Sequence, residues 1–484
     1  MFTFRGWRKA LFAGCGAAAA FFVLPAQAAT SIRVHPDNPH IFEWRGKPTV
    51  LVGSGEHYGA VLNLAFDYRA YLDALHAAGL NITRTVPGTA VISHNARVWR
   101  GLDQNTLGPR PGKYLGPWAR SDTPGYANGG NKFDLDRWDD AFFARLKDFV
   151  RLAGDRGIVV EITMLYVLYG EGPEQGHWMM HPLNARNNIN GVGRGTFDQY
   201  NTLHDPALVA RQEAVVRKIT TELNPFDNVI YEICDEPYLS GASPAETEAW
   251  QNRMLDVFDA TRRTLPNRQL VAINPANLYA RLERVHPAVD WVNFHYCDPP
   301  AAAPMNAHLR RPIGFDETPG KDVRAPGHRA EAWAWLFSGG GLYNNLDPSF
   351  ATDDATGRGR IQQEDGAFDG REMRAQFGIL LEFMHGLDLA RMRPTERLLQ
   401  VRGGKAPYAL ASPGRQYAVY FPRGARSPAD CMFDLPAGEW RVEWVTPADG
   451  RSEPGPTLNH AGGALHLQTP RFAVDLALRL TNLR

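Results

Sequence analysis

The 484-residue sequence has few cysteines, no excess of charge of either sign and, beyond its first residues, no long apolar run. Each lack excludes something. Of four cysteines only Cys234, Cys297 and Cys431 follow the N-terminal stretch, too few for a disulfide framework, and their odd number leaves at least one thiol free. None stands at metal-ligand spacing from another, so each reads as a small buried hydrophobe and the chain must be held by its core. Lys plus Arg and Asp plus Glu both number 52, which gives no pull toward nucleic acid or an anionic membrane. No later segment is long and apolar enough to span a bilayer. A phosphate-binding glycine fingerprint is missing too: "GVGRG" (191–195) lies in a polar loop with no strand before it.

The one apolar run that does occur is at the start. Arg5, Arg8 and Lys9 precede "ALFAGCGAAAAFFVLP", and the small-residue site Ala26-Gln27-Ala28 follows. This is the pattern of a secretory signal over 1–28, cleaved before Ala29, and the mature chain is expected to be secreted or periplasmic. A lipidated Cys15 and an uncleaved anchor are the alternatives.

From about residue 40 to 390, short apolar runs alternate with helical patterns. The runs are "TVLVGS" (49–54), "NITRTV" (81–86), "IVVEITMLY" (158–166), "NVIYEICDEPY" (228–238), "QLVAIN" (269–274), "VDWVNFHYC" (289–297), "RPIGFDE" (311–317) and "GGLYNN" (340–345). Between them, helical spacing predicts helices near 67–78, within "DLDRWDDAFFARLKDFVRLAGDRG" (from 134), over 206–223, 244–264 and 371–388. Eight strands alternating with helices predict a parallel (β/α)8 TIM barrel over 29–392. A doubly wound open sheet is the alternative. After Pro394 short alternating strands with Gly, Pro and Asp turns predict a small antiparallel β-sandwich domain over 393–484.

In such a barrel the site lies where the strands end. That places Glu56, His57 and Tyr58 after strand 1, Arg84 on strand 2, Tyr166 on strand 3 and Asp235 and Glu236 on strand 4. Strand 6 delivers His295 and Tyr296, and strand 7 delivers Asp316 and Glu317. Buried carboxylates need a partner or a task. Two of them facing each other across a barrel mouth suit the cleavage of a glycosidic bond, in which one protonates the leaving oxygen and the other attacks or activates water. Asp316 is the alternative to Glu317. Glu232, four residues before Glu236 on the strand proper, reads as structural, and Arg84, His57 and His295 each have a core-neutralising reading. Long loops at 88–133 (Trp99, Tyr114, Trp118, Tyr126) and 167–205 (His177, Trp178, Asn184, Arg186, Tyr200) supply aromatics for sugar faces or small satellite cores.

"NVIYEICDEP" closely resembles the strand-4 segment of clan A glycoside hydrolases, above all family 5, which typically reads "NVIYEIxNEP". The resemblance implies that Glu236 is the general acid/base and that Glu317, in "IGFDET", is the nucleophile of a retaining mechanism. It also implies that Arg84, His295 and Tyr296 stand at substrate-binding positions, with His57, Tyr166, Trp178 and Asp235 added from the strand ends and loops. Asp235 stands where the family has Asn, His295 and Tyr296 are adjacent rather than separated by one residue, and "GGLYNN" lacks a Trp. The "FEWRGKPTVLVGS" opening and the C-terminal β-domain are similar to bacterial proteins of the clan. The expected substrate is a poly- or oligosaccharide, with no metal and no organic cofactor implied. A non-catalytic carbohydrate-binding or cell-surface barrel, and a transglycosylase on the same scaffold, are the other functions this sequence admits.

Overall fold

The computed structural model describes residues 31–95, 105–168, 177–318, 325–358, 360–363, 366–396 and 398–483. The signal-like stretch 1–28 and Trp99 lie outside them. Eight parallel strands are present: β1 (Leu51–Gly55), β2 (Ile82–Thr85), β3 (Val159–Tyr166), β4 (Val229–Asp235), β5 (Leu270–Ile273), β6 (Trp291–His295), β7 (Ile313–Glu317) and β8 (Leu342–Leu346). Their order is β1-β8-β7-β6-β5-β4-β3-β2, and every neighbouring pair is parallel.

The barrel closes where β1 meets β2. The Asn81 N–H donates to the Val52 carbonyl at 3.1 Å, and Asn81 Oδ1 accepts the Val52 N–H at 2.8 Å. The two strands come so close that a Cβ on Gly53 would lie 2.6 Å from the Ile82 carbonyl oxygen, which restricts that position to glycine.

Helices α1 (Tyr68–Ala77), α2 (Asp140–Asp155), α3 (Pro206–Leu223), α4 (Pro244–Arg262), α5 (Ala325–Phe337) and α6 (Gly370–His385) lie outside the strands. Four of them start on side-chain caps: Asp67, Asp139 and Asp205 each accept two backbone N–H groups, and Ser243 forms a capping box with Glu246. The Asp139 cap starts α2 inside the stretch expected to be helical and leaves Trp138 outside it. Trp138 ends a β-hairpin (Trp118–Pro124 with Asn131–Trp138) and stacks on Trp118 with centroids 6.3 Å apart, although its spacing imitates a helical face. Among the described residues no regular helix follows β5, and only short helical turns follow β6.

A three-stranded antiparallel sheet (Arg33–Val34, Phe42–Trp44, Lys47–Thr49) precedes the barrel. Ile32 and Phe42 pack on Leu51, Ile82, Val159, Ile230, Leu270, Trp291 and Leu342, the first residues of the strands or nearly so. This plugs the N-terminal end and leaves the C-terminal end to a site. Beyond α6, one six-stranded and one three-stranded antiparallel sheet form a β-sandwich that begins at Arg393–Pro394. Its own core includes Val419, Phe421, Phe433, Trp440, Val442 and Leu478. A buried fork joins it to the barrel: Arg329 of α5 donates to both Asp475 oxygens at 2.9 and 3.0 Å, and the Tyr420 hydroxyl adds a third bond at 3.0 Å. Trp333 stacks on Tyr420 at 5.2 Å. A TIM barrel followed by a β-sandwich is thus the fold, as the strand pattern implied.

Candidate functional site

The barrel interior and the C-terminal ends of its strands gather six acids around two cations. Arg84 of β2 is fully buried, as are Glu161, Glu232, Asp235 and Asp316. Its Nη2 bonds Glu232 and, at 2.7 Å, Asp235; its Nη1 lies 3.3 Å from Glu317; its Nε lies 3.0 Å from Asp316 and 3.6 Å from Glu161. Thr163 Oγ1 accepts the same Nε at 2.8 Å, and the guanidinium packs 4.6 Å from the centre of the Tyr58 ring. A planar fork with five donors can serve carboxylates on three strands at once, which an ammonium cannot.

His295 is the second hub. Its Nδ1 lies 3.0 Å from Glu236 and 3.3 Å from Glu317, and its Nε2 lies 3.1 Å from Asp316. Burial would lower its pKa, but Glu317, Asp316 and Glu236 together raise it well above the usual histidine value, so the ring is an imidazolium. Burial likewise pushes Asp235 far up, with the Glu317 charge adding to it and Arg84 opposing. Asp316 goes the other way. Burial would raise it, yet Arg84 and His295 hold it down at about 2. Six acids against two cations cannot all ionise in a buried space, so protons stay on some of them.

Two local irregularities aim the acids. In a regular strand adjacent side chains point to opposite faces. In β7 the pairing with β6 runs from Phe294–Phe315 to His295–Glu317, so Asp316 is an extra residue and both acids turn inward. In β4 the chain leaves the strand with Glu236 in the left-handed region, at φ 40°. Its backbone N–H donates to Asn274 at 3.1 Å; Asn274 donates to the Asn293 carbonyl at 3.1 Å, and Asn293 donates to Glu232 at 2.8 Å. This amide chain ties β4, β5 and β6 together behind the acids. On the open side the Tyr296 hydroxyl donates to Glu317 at 2.9 Å, and the Tyr238 hydroxyl lies 2.6 Å from Asn277 and 3.3 Å from Glu236.

Of the residues picked out in sequence, Arg84, Asp235, Glu236, His295, Tyr296 and Glu317 share this constellation. Tyr166 ends β3 opposite Asp235 in the ladder and stacks on His177 at 5.9 Å. His57 is buried beside Asp347 rather than among the acids, and burial pushes it down to about 4. Trp178 stands apart from the constellation. It is 3% exposed, donates its indole N–H to the Gly195 carbonyl at 3.0 Å and packs on His181 and Tyr200. Tyr114, Tyr126 and Phe133 form another satellite core around Arg120. Glu161, Thr163, Tyr238, Asn274 and Asn293 were not singled out. Glu161 carried a signal, being the one charged residue in "IVVEITMLY", as Glu232 is within "NVIYEI".

Glu232, His295 and Asp316, and likewise Asp235, His295 and Glu317, bring possible metal-ligand atoms within 4.8 Å. These acids are the partners of Arg84, and a metal ion would have to compete with the guanidinium already among them.

Three buried histidines fix a pH dependence. Burial lowers His57 and His181 to about 4 and His177 to about 3, with His181 adding to the effect on His177. Between those values and the unfolded value near 6.5 the unfolded chain binds more protons, so stability is full above pH 6.5 and falls as the pH drops. At pH 5 each histidine withdraws about 2 kcal/mol. Glu56 acts oppositely: burial raises it to about 7 against donation from Thr106, Gly59 and Ala60, so it regains about 2 kcal/mol between pH 7 and pH 5. The histidine part of this dependence is checked by fluorescence-monitored urea unfolding: His177→Asn should lose about 2 kcal/mol less than the wild type between pH 7 and pH 5.

No protein-family model matches the sequence, and no curated protein does. Solved structures match it by fold. A protein described as a glycoside hydrolase superposes with a TM-score of 0.60 at 12% identity, over 94% of this chain and 97% of its own. A glycoside hydrolase family 5 protein from Bacteroides vulgatus ATCC 8482 superposes with a TM-score of 0.63 at 13% identity, over 93% and 94%. At such identities what is shared is the architecture, and it is shared over nearly the whole length of both chains.

Proposed function

We propose that this protein is an exported glycoside hydrolase that cleaves O-glycosidic bonds of a poly- or oligosaccharide with retention of configuration. Glu236 protonates the leaving oxygen while Glu317 attacks the anomeric carbon, breaking its bond to that oxygen and forming a glycosyl-enzyme ester. Glu236, now a carboxylate, takes a proton from water, which displaces Glu317 at the same carbon.

One observation carries this reading. Glu236 and Glu317 approach the same nitrogen, His295 Nδ1, at 3.0 and 3.3 Å, so their facing oxygens lie no further apart than the sum of the two. Two carboxyl groups that share one nitrogen suit the ~5–5.5 Å separation of retaining enzymes better than the ~6.5–9.5 Å that inverting enzymes need for an intervening water. Arg84, His295 and Tyr296 all direct donors at Glu317, a set suited to a carboxylate nucleophile. The family 5 fold neighbour supports the same class.

The test is to hydrolyse a panel of gluco-, manno-, galacto- and xylosides and follow the first-formed anomer by NMR. Retention is expected, and an inverted first product overturns the mechanism. The segment 1–28 supports export, and the mass of the chain recovered from an exporting bacterial host should correspond to a start at Ala29.

A further inference from the structure

Seven large apolar side chains are exposed among the described residues, and three of them, Leu239, Leu278 and Tyr279, belong to two rim loops that are bonded to each other. They are 44, 51 and 48% exposed. Leu239 closes the turn that begins at Glu236, its N–H donating to the Glu236 carbonyl at 2.9 Å. Leu278 donates its N–H to the His295 carbonyl at 2.7 Å, extending the line of β6. The Tyr238–Asn277 bond of 2.6 Å fastens one loop to the other.

Leu278 is unusual twice over. It exposes an isobutyl group to water and holds φ at 65°, a region that leucine enters at a cost. Glu236 and Tyr296, its neighbours on the rim, are left-handed as well, at 40° and 55°. Exposure and backbone strain in one residue beside a functional group point to a ligand that covers it.

The opposite side of the mouth has another character. Beyond β7 and β8, Thr318 bonds Asn345, and Arg374 bonds Asp347 and Ser349, all of them buried. The mouth is therefore polar on one side and apolar beside Glu236.

We propose that Leu239, Leu278 and Tyr279 form the subsite for the departing group, and that it takes a group with a flat apolar face, either an aryl aglycone or the C–H face of a pyranose. This rests on the hydrolase reading, because it is the proton donor that identifies the departing side. An apolar ledge gains by covering a ring face.

The test uses the full chain and a double variant, Leu278→Asn with Tyr279→Ser; asparagine accepts the left-handed backbone. Two measurements are made. In the first, kcat/KM is compared for 4-nitrophenyl glycosides, methyl glycosides and β-linked disaccharides of glucose, mannose, galactose and xylose. The variant should lose about tenfold on substrates whose departing group has an apolar face, and change little on methyl glycosides. A loss confined to the aryl substrates identifies an aglycone site; a matching loss on disaccharides identifies a sugar site. In the second, saturation transfer from the protein to phenyl 1-thioglycosides is recorded without any need for turnover. Strong phenyl signals that vanish in the variant support the ledge. If no glycoside is hydrolysed but the phenyl signals still depend on these residues, the ledge stands and the hydrolase reading falls. If turnover occurs with an unchanged aryl-to-methyl ratio and unchanged or absent phenyl signals, the ledge falls and the hydrolase reading stands.

Discussion

Glu317→Gln is expected to leave a folded protein that turns over no glycoside, with kcat/KM down by about 10³-fold or more. Glutamine keeps the shape of the side chain but cannot form the ester. Glu236→Gln should behave differently in a way that identifies its role. With a glycoside whose leaving group needs no proton, such as a 2,4-dinitrophenoxide, the first step survives and the second lacks its base. The expected trace is a burst of one equivalent followed by slow turnover, and intact-protein mass spectrometry should find one sugar on Glu317. With an unactivated substrate the same variant should lose about 10²–10⁴-fold. Equal losses on both substrates would remove Glu236 from the proton-donor role. Circular dichroism and unchanged thermal unfolding establish that each variant folds. If the wild-type chain cleaves nothing across the panel yet binds a glycan, a carbohydrate-binding barrel replaces the enzyme.

Arg84→Met is expected to be the most damaging single change to stability at neutral pH. The guanidinium is fully buried and touches Glu232, Asp235, Asp316 and Glu317, with Glu161 3.6 Å away. Removing one member of a buried ionic cluster costs about 3–5 kcal/mol, because the charges left behind lose their compensation. The acids respond by holding protons in the folded state at pH values where the unfolded chain releases them. The variant's deficit should therefore shrink as the pH falls from 7 to 5, opposite in sign to the histidine effect in the wild type. Urea unfolding of both proteins at the two pH values tests this. Arg84→Lys should recover only part of the loss, since one ammonium cannot replace bonds made from Nε, Nη1 and Nη2. A wild-type-like midpoint in Arg84→Met would mean that the cluster is already neutral without it.

The eight strands and most helices were legible because their causes are local. α3 spans Pro206–Leu223, the range its apolar spacing predicts, since Asp205 caps it and Pro206 fits its first turn. Trp138 shows the limit: its spacing imitates a helix, but stacking on Trp118 in a hairpin and the Asp139 cap decide otherwise. A single acid in an apolar strand, such as Glu161, does not announce which strand will supply its cation. Arg84 stands 77 residues away in sequence and beside it in the ladder.

By itself the sequence determined that a parallel barrel precedes a β-sandwich and that strands 4 and 7 each end in a pair of acids, because hydrophobic period and turn residues act over a few positions. Only the tertiary structure decided how each pair is used. Strand alternation would send Asp316 and Glu317 to opposite faces, and the extra residue in β7 brings both inward. A left-handed backbone at Glu236 and the amide chain through Asn274, Asn293 and Glu232 set the other pair. These are departures from regular geometry that matter only when five strands converge on Arg84 and His295, and no local pattern records that convergence.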